Sequence, residues 1–257
     1  MFYPLHDGKP VRFISLQWVT LTLIAVNCLV FGITATIGPD GPFAEMVAVG
    51  LGHVPSVSND LRVLPPRFEV LPDWLYPLTG ITYAFIHGDI WHLLGNMLFL
   101  WVFGDNVEDA LGHVKYLIFY FASAYSAAAF HAFMFQTSDA PLIGASGAAA
   151  GIIAAYLMLH PRMKIWVLFM GRIPLRLSAF WLLGGWIVFQ IVMFLSDTDT
   201  AISWASHLGG IVAGVVLVGP LKRREVALFD RDLAKPDAIA APDTDEAEEP
   251  RWGRNKT

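Results

Sequence analysis

The chain has 257 residues, of which 55% are hydrophobic and only 15% are charged. Soluble domains carry about 25% charged residues, so this composition excludes a water-soluble globular protein and indicates an integral membrane protein. The net charge of −5 says little about partners, because much of the acid is concentrated in the C-terminal tail, and nothing resembles a basic face for nucleic acid. The lone Cys28 has no partner for an internal disulfide and is interpreted as a small buried side chain.

The chain opens with a short N-terminus, residues 1–12, which carries Lys9 and Arg12. The uncharged run that follows is too long for a signal-peptide core and lacks a convincing cleavage site, so it predicts a retained transmembrane helix. Six uncharged windows follow one another along the chain: Phe13–Thr36, Ile90–Gly104, Tyr116–Ser138, Ala140–Pro161, Leu177–Ser196 and Thr200–Leu221. A spanning helix needs about 20 residues. Five windows reach that length, and the short second window is expected to continue through Asp105 toward Glu108.

The segment between the first two windows, residues 38–89, is rich in proline and glycine. It includes an apolar stretch, Trp74–Gly88, that a proline and a glycine interrupt and that is short for a span. We therefore predict a long first outer loop that is interfacial or partly embedded, with Trp74 and Tyr76 at headgroup depth. A seven-span alternative would use this stretch as a helix.

Lysine and arginine predict the orientation, because cytosolic loops are enriched in both. With a cytosolic N-terminus, the outer side holds only Arg62 and Arg67. The cytosolic side then holds ten cations: Lys9, Arg12, Lys115, Arg162, Lys164, Arg172, Arg176, Lys222, Arg223 and Arg224. Both termini are therefore expected in the cytosol, which requires an even number of spans. The sequence predicts an all-α integral membrane protein with six spans over residues 13–221.

The C-terminal tail, residues 222–257, is acidic and contains prolines and few apolar residues. Such a segment cannot bury enough apolar surface to order itself, so we predict a disordered cytosolic extension.

Strongly polar side chains inside a span are costly and indicate function. His92 and Asn96 lie one helical turn apart in the second window, Ser146 lies in the fourth and His207 in the sixth. These three windows run in the same direction. All four residues fall near the outer end, His207 at most roughly 12 Å below the surface. If the three helices are neighbours, the four side chains converge.

That group has a chemical interpretation. A serine hydroxyl is a poor nucleophile until a base takes its proton, and His207 suits that role. His92, Asn96 and the backbone N–H of Ser146 are candidate donors to an oxyanion. Every acidic residue lies in a loop or at the inner end of a span, so we predict a Ser–His dyad without a carboxylate.

A serine among small residues is, taken alone, more often a packing residue. Gly147 and Gly151 are four apart, as are Gly210 and Gly214, and small residues at this spacing let helices approach closely. Close approach of the fourth and sixth spans is also what a Ser146–His207 hydrogen bond requires, so packing and catalysis are compatible.

The remaining histidines carry weaker hypotheses. His131 has no evident partner and is interpreted as structural or interfacial, whereas His53 and His87 are loop residues without an assigned role. A metal site from His87, His92 and Asp89 is not favoured, because such turn residues are usually solvated and no helical HExxH pattern occurs. We predict neither a metal nor a cofactor.

Together these motifs resemble the rhomboid family of intramembrane serine proteases. "GASGAAAG" matches the family's Gly-x-Ser-Gly motif at Ser146, and "WASHLGGIVAG" resembles the motif of the base, His207. "WHLLGNMLFLWVFGDNVEDALG" resembles the second span with His92 and Asn96, and "HPRMKIWVLF" looks like the stretch after span four in bacterial members. The resemblance covers roughly residues 80–220.

The resemblance implies a six-helix rhomboid-like bundle with a water-accessible cavity open to the outer face and no cofactor. It implies cleavage of single-span membrane-protein substrates near the outer end of their helix, where the substrate must unwind. With this family we expect a multi-pass protein of the bacterial inner (plasma) membrane, whose partners are those substrates and the lipid bilayer, not nucleic acid.

Three positions depart from the family pattern. Ser206 precedes the base, where alanine is common. Ala150 replaces an aromatic residue that packs on the histidine ring, and Trp204 is a possible substitute. Ala110 replaces an arginine of the "VEDALG" stretch, where Glu108 is expected to cap or brace the cytosolic loop.

Two rival functions remain open. A catalytically inactive rhomboid-like protein would bind transmembrane helices, but such proteins usually lack the serine or the histidine. A transporter or channel would need a polar path across the bilayer, whereas the inner halves "GIIAAYLML" and "IVAGVVLVG" are apolar.

Overall fold

The computed structural model describes residues 2–38, 41–60, 63–64, 69–169, 171–196 and 203–229. These residues are mostly helical. In chain order they form β1 (Phe2–His6), α1 (Trp18–Ile37), α2 (Pro42–Leu51), α3 (Pro55–Ser58), a 3-10 helix (Asp73–Leu78), α4 (Thr79–Thr82), a second 3-10 helix (Tyr83–Phe85), α5 (Ile90–Leu111), α6 (His113–Met134), α7 (Ser146–Leu159), β2 (Lys164–Phe169), β3 (Ile173–Ser178), α8 (Ala179–Leu195) and α9 (Trp204–Leu221).

Each of the six uncharged windows holds most of one helix, namely α1 and α5 to α9. By length and composition α1, α6 and α9 are able to cross a membrane, and α2, α7 and α8 are shorter apolar helices. The chain is therefore a multi-pass membrane protein.

One end of the bundle is held by the carboxylates at the end of α5. Glu108 accepts hydrogen bonds from the N–H groups of Val19 (3.0 Å) and Thr20 (2.8 Å). Asp109 accepts from three consecutive amides, residues 12–14. The first N–H groups of a helix have no intrahelical partner, so Glu108 caps the start of α1.

Helix α1 contributes few side chains to the core. Its buried residues are Thr20, Leu23 and Asn27. Cys28 is exposed, so the prediction of a buried cysteine is wrong. The reason is that α1 lies at the edge of the bundle and turns most of its apolar side chains outward.

The residues after α9 pack on the same end. The Arg223 amide donates to Ala110 O at 2.8 Å, and the Phe229 amide donates to Met158 O at 2.7 Å. The C-terminal ends of α5, α7 and α9 thus lie together beside the start of α1. Residues 222–229, which the sequence assigns to a disordered tail, make these contacts, and residues 230–257 lie outside the described residues.

The first loop closes the opposite end. His53 and Leu142 exchange both backbone hydrogen bonds, at 3.1 and 2.9 Å. The Ser56 hydroxyl donates to Asp139 at 2.7 Å. These contacts join the loop to the segment that leads into α7, so the start of α7 lies at this end of the bundle. The start of α9 lies at the same end, because a Cβ atom on Gly147 would be 3.5 Å from Ser206 O.

A three-stranded antiparallel sheet corrects the all-α prediction. β2 pairs with β1 on one side and with β3 on the other. In β2, buried Ile165 and Val167 alternate with exposed Lys164 and Trp166, which is the two-residue period of a half-buried strand. β2 and most of β3 lie between the fourth and fifth windows, in the segment that the sequence analysis assigned to the cytosolic side, so the described part of this segment forms strands and is not helical.

Helix α7 is shorter than its window suggests. Its 14 residues rise about 21 Å, less than the roughly 30 Å hydrocarbon core. Residues 140–145 precede it without helical structure. Gly144 has φ of +108°, a conformation that glycine tolerates. The chain turns at this residue, and the helix begins two residues later at Ser146.

Candidate active site

Ser146 is the first residue of α7, at the end that faces the first loop. The segment before it is fixed by the Gly144 amide, which donates to Tyr83 O at 3.0 Å. Ser146 is half-buried, whereas the residues that follow it are buried. A helix start presents free N–H groups and the positive end of the helix dipole, so a negative charge is favoured beside Ser146.

His207 lies in the first turn of α9 and is 8% exposed. Its Nδ1 lies 2.7 Å from Gln190 Oε1 of α8. Trp186 lies at 6.1 Å between ring centroids, and Trp204 lies edge-on at 5.9 Å. Side chains of α8 and α9 therefore surround the imidazole, and the partner of Nδ1 is an amide, not a carboxylate.

The backbones of α7 and α9 touch beside the two residues. A Cβ atom on Gly210 would lie 1.9 Å from Gly147 O, and one on Gly214 would lie 2.2 Å from Gly151 O. The four glycines thus occupy the contact between the helices, which brings the turn with Ser146 against the turn with His207.

Within the described residues no hydrogen bond joins the Ser146 hydroxyl to His207. In substrate-free enzymes catalytic hydrogen bonds are often long and tighten only in the complex. In this structure Ser146 and His207 are brought near each other by the contact between α7 and α9, and not by a hydrogen bond between their side chains.

His92 lies against the turn that precedes Ser146. Asp89 caps α5 and accepts from the His92 amide at 2.9 Å. A Cβ atom on Gly144 would lie 2.5 Å from His92 Nε2 and 3.6 Å from Asn96 Nδ2. Both predicted oxyanion donors therefore border the same turn, and His92 is the nearer.

His87 is part of this arrangement, although the sequence suggested no role for it. The side-chain Nδ2 of Asn96 donates to His87 Nε2 at 3.0 Å, and the backbone N–H of Ala145 approaches the same atom at 3.5 Å. Burial, and then the charge of His92, lowers the pKa of His87 to about 4, which keeps its ring neutral and able to accept. His87 thus ties Asn96 to the residue before Ser146.

His131 also has a partner. Its Nδ1 lies 2.7 Å from the Ser203 hydroxyl, and that hydroxyl accepts from the Ser206 amide at 3.2 Å. Ser203 caps α9. His131 therefore supports the start of the helix that carries His207, which agrees with a structural interpretation.

Comparison with known proteins identifies the family. A rhomboid domain model matches residues 77–224, more than half of the chain and the whole of the candidate site. The chain belongs to the rhomboid family.

Individual relatives support this assignment at moderate identity. "RHOMBOID-like protein 12, mitochondrial" of Arabidopsis thaliana is 30% identical over 154 residues, which is 54% of this chain and 44% of that protein. "Rhomboid protein 1, mitochondrial" of Saccharomyces cerevisiae is 32% identical over 142 residues, 52% of this chain and 38% of that protein. "Rhomboid protease GlpG" of Enterobacter is 26% identical over 202 residues, 77% of this chain and 61% of that protein.

This rhomboid chain spans less than half of the length of the two mitochondrial relatives. Their names point to mitochondria and the Enterobacter name to a bacterium. The relatives therefore support neither the plasma membrane nor the restriction to a bacterial type.

Proposed function

We propose that this rhomboid is an intramembrane serine protease that hydrolyses peptide bonds in or near transmembrane segments. The observation that supports it best is the backbone contact between α7 and α9 at Gly147 and Gly210. It brings a serine at a helix start beside a buried histidine.

In the proposed mechanism the Ser146 hydroxyl attacks the scissile carbonyl while His207 Nε2 takes its proton. The negative charge that develops on the carbonyl oxygen is stabilised by the start of α7, the Ser146 backbone N–H and His92. Asn96, held by His87, supports the same region. His207 then returns the proton to the leaving amine, and water hydrolyses the acyl-enzyme with His207 as the base.

We further propose six spans with both termini in the cytosol. The excess of lysine and arginine supports this orientation, as does the grouping of Arg223 with the start of α1 and the end of α5. The Ser146 end of the bundle then faces outward, where water is available. A shorter α7 agrees with an active site that begins below the outer surface.

The proposed substrates are single-span membrane proteins cleaved near the outer end of their helix. A helical backbone is shielded by its own hydrogen bonds, so residues that weaken the helix should favour cleavage. The alternative is a non-catalytic rhomboid-like protein that binds transmembrane helices, which the missing Ser146–His207 bond would suit.

Cleavage in liposomes separates the two. We expect the wild type to cut a single-span substrate with glycine or proline at the outer end of its helix, and Ser146→Ala and His207→Ala to leave it intact. Ser206→Ala is the matched control, because the Ser206 hydroxyl donates to Ser203 O and is not assigned to the chemistry. Binding without cleavage by the wild type would favour the alternative.

A further inference from the structure

The imidazole of His207 is held by a different helix than the family resemblance suggests. Ala150 of α7 is buried and carries no ring to pack on the histidine. α8 supplies the support, because Gln190 Oε1 lies 2.7 Å from His207 Nδ1 and Trp186 of the same helix lies beside the ring.

Gln190 is itself fixed in place. It is 2% exposed, and its Nε2 donates to Trp186 O one turn earlier in α8 at 3.4 Å. With the amide nitrogen engaged by the backbone, the amide oxygen is the atom turned to His207. That oxygen only accepts hydrogen bonds, so the proton between the two residues must belong to Nδ1.

The tautomer of His207 follows from this bond. A neutral imidazole with its proton on Nδ1 has the lone pair on Nε2, which is the form that accepts a proton. The proposed base therefore has its accepting nitrogen free for the serine.

An amide suits this position because a charge inside a span is costly. A carboxylate would stabilise the imidazolium more strongly, but it would have to remain ionised among apolar side chains. Glutamine provides the orienting hydrogen bond without a charge to bury.

We propose that Gln190 is the positioning residue of the base, which holds His207 in the Nδ1–H tautomer and aims Nε2 at Ser146. The inference rests on the proposed function and deepens it: the dyad acts with a neutral third member on α8.

The first test is kinetic, with a reconstituted single-span substrate. Gln190→Leu keeps the approximate volume and removes the acceptor, so kcat should fall about 10- to 100-fold, the effect of one hydrogen bond to a charged group, with KM nearly unchanged. Gln136→Leu is the matched control, since Gln136 is exposed beyond the end of α6 and should keep wild-type kcat.

The second test is the pH–rate profile of Gln190→Glu. A carboxylate beside the imidazolium favours the protonated form, so the acid limb should move to higher pH. If Gln190 only held α8 against α9, its substitution would change the unfolding temperature but would leave the acid limb of the pH–rate profile where it is in the wild type.

The third test does not need activity. The ¹⁵N spectrum of His207 should show the proton on Nδ1 in the wild type and a mixture of tautomers in Gln190→Leu. Wild-type kcat and an unmoved acid limb in the Gln190 variants, or a wild-type His207 protonated on Nε2, would overturn the inference.

The two proposals fail in different ways. If the wild type cleaves and the Gln190 variants match it, the protease stands and the positioning role falls. If the wild type does not cleave, the protease falls, while the tautomer measurement still decides whether Gln190 orients His207.

Discussion

Gly210 of α9 lies so close to Gly147 of α7 that a Cβ atom there would be 1.9 Å from the Gly147 carbonyl oxygen. The two helices meet backbone to backbone, one residue after Ser146 and three residues after His207. This contact fixes the relative position of the proposed nucleophile and base.

Gly210→Ala should therefore separate the helices and disturb the site. The atom that would be struck is backbone and cannot rotate away, so we expect a loss of about 1–3 kcal/mol or more in unfolding free energy together with a loss of activity. Thermal unfolding in detergent and substrate cleavage measure the two effects.

Gly184→Ala in α8 is the control, because a Cβ there would meet nothing within 4 Å. Alanine has the higher helix propensity, so this variant should be neutral or slightly more stable. Equal stability of the Gly184 and Gly210 variants would contradict the close contact.

His92→Ala should slow the chemical step. His92 borders the turn before Ser146, and loss of one oxyanion donor costs about 10²–10³ in rate. We expect kcat to fall by that amount with little change in KM. Trp91→Ala, at a neighbouring side chain that is 79% exposed, serves as control and should keep its kcat. A His92 variant with wild-type kcat would remove this residue from the mechanism.

Acid should destabilise the fold through His53. Burial, and then the charge of His131, lowers the pKa of His53 from 6.5 to about 4. Between these values the unfolded chain binds a proton that the folded protein does not, so stability is complete above about pH 6.5 and falls as the pH drops toward 4. The difference corresponds to roughly 3 kcal/mol at low pH.

His53→Gln removes that titrating group, so its unfolding temperature should depend less steeply on pH between 6.5 and 4 than that of the wild type. The dependence will not vanish, because the pKa of His87 is lowered in the same direction. Two parallel profiles would show that His53 does not contribute.

The proposed orientation predicts that the two ends of α6 face opposite sides of the membrane. In a Cys28→Ser background, Gln136→Cys just after α6 should react with a membrane-impermeant maleimide in intact spheroplasts. Lys115→Cys near its start should react only after permeabilisation. Both positions are exposed, so burial does not bias the comparison. The reverse pattern would invert the topology.

The long helices could be predicted because charges interrupt them. Among the described residues each of the six windows holds most of one helix, α1 or one of α5 to α9, and three of these helices are long and apolar enough to cross a membrane. The sheet could not be predicted in this way, since β1 and β2 are more than 150 residues apart in the chain and their pairing is tertiary. The late start of α7 within the fourth window was hidden for a similar reason: the turn at Gly144 is held by a hydrogen bond from its amide to Tyr83 O, a residue distant in the chain.

The candidate site was predicted in part. Ser146, His207, His92 and Asn96 stand out as polar residues at one level, whereas Gln190 is an isolated amide in the apolar run of α8. Nothing in the sequence relates Gln190 to a histidine 17 residues later. The only available signal is that Gln190, like Asn96, is a strongly polar side chain inside an apolar window.

The central claim is that Ser146 is a nucleophile activated by His207, and covalent labelling tests it most directly. We predict that a fluorophosphonate probe forms one adduct with the folded wild type in detergent, which mass spectrometry places on Ser146. Labelling should disappear in Ser146→Ala, fall strongly in His207→Ala and persist in Ser206→Ala. A folded wild type that stays unlabelled, or an adduct on another residue, would contradict the account.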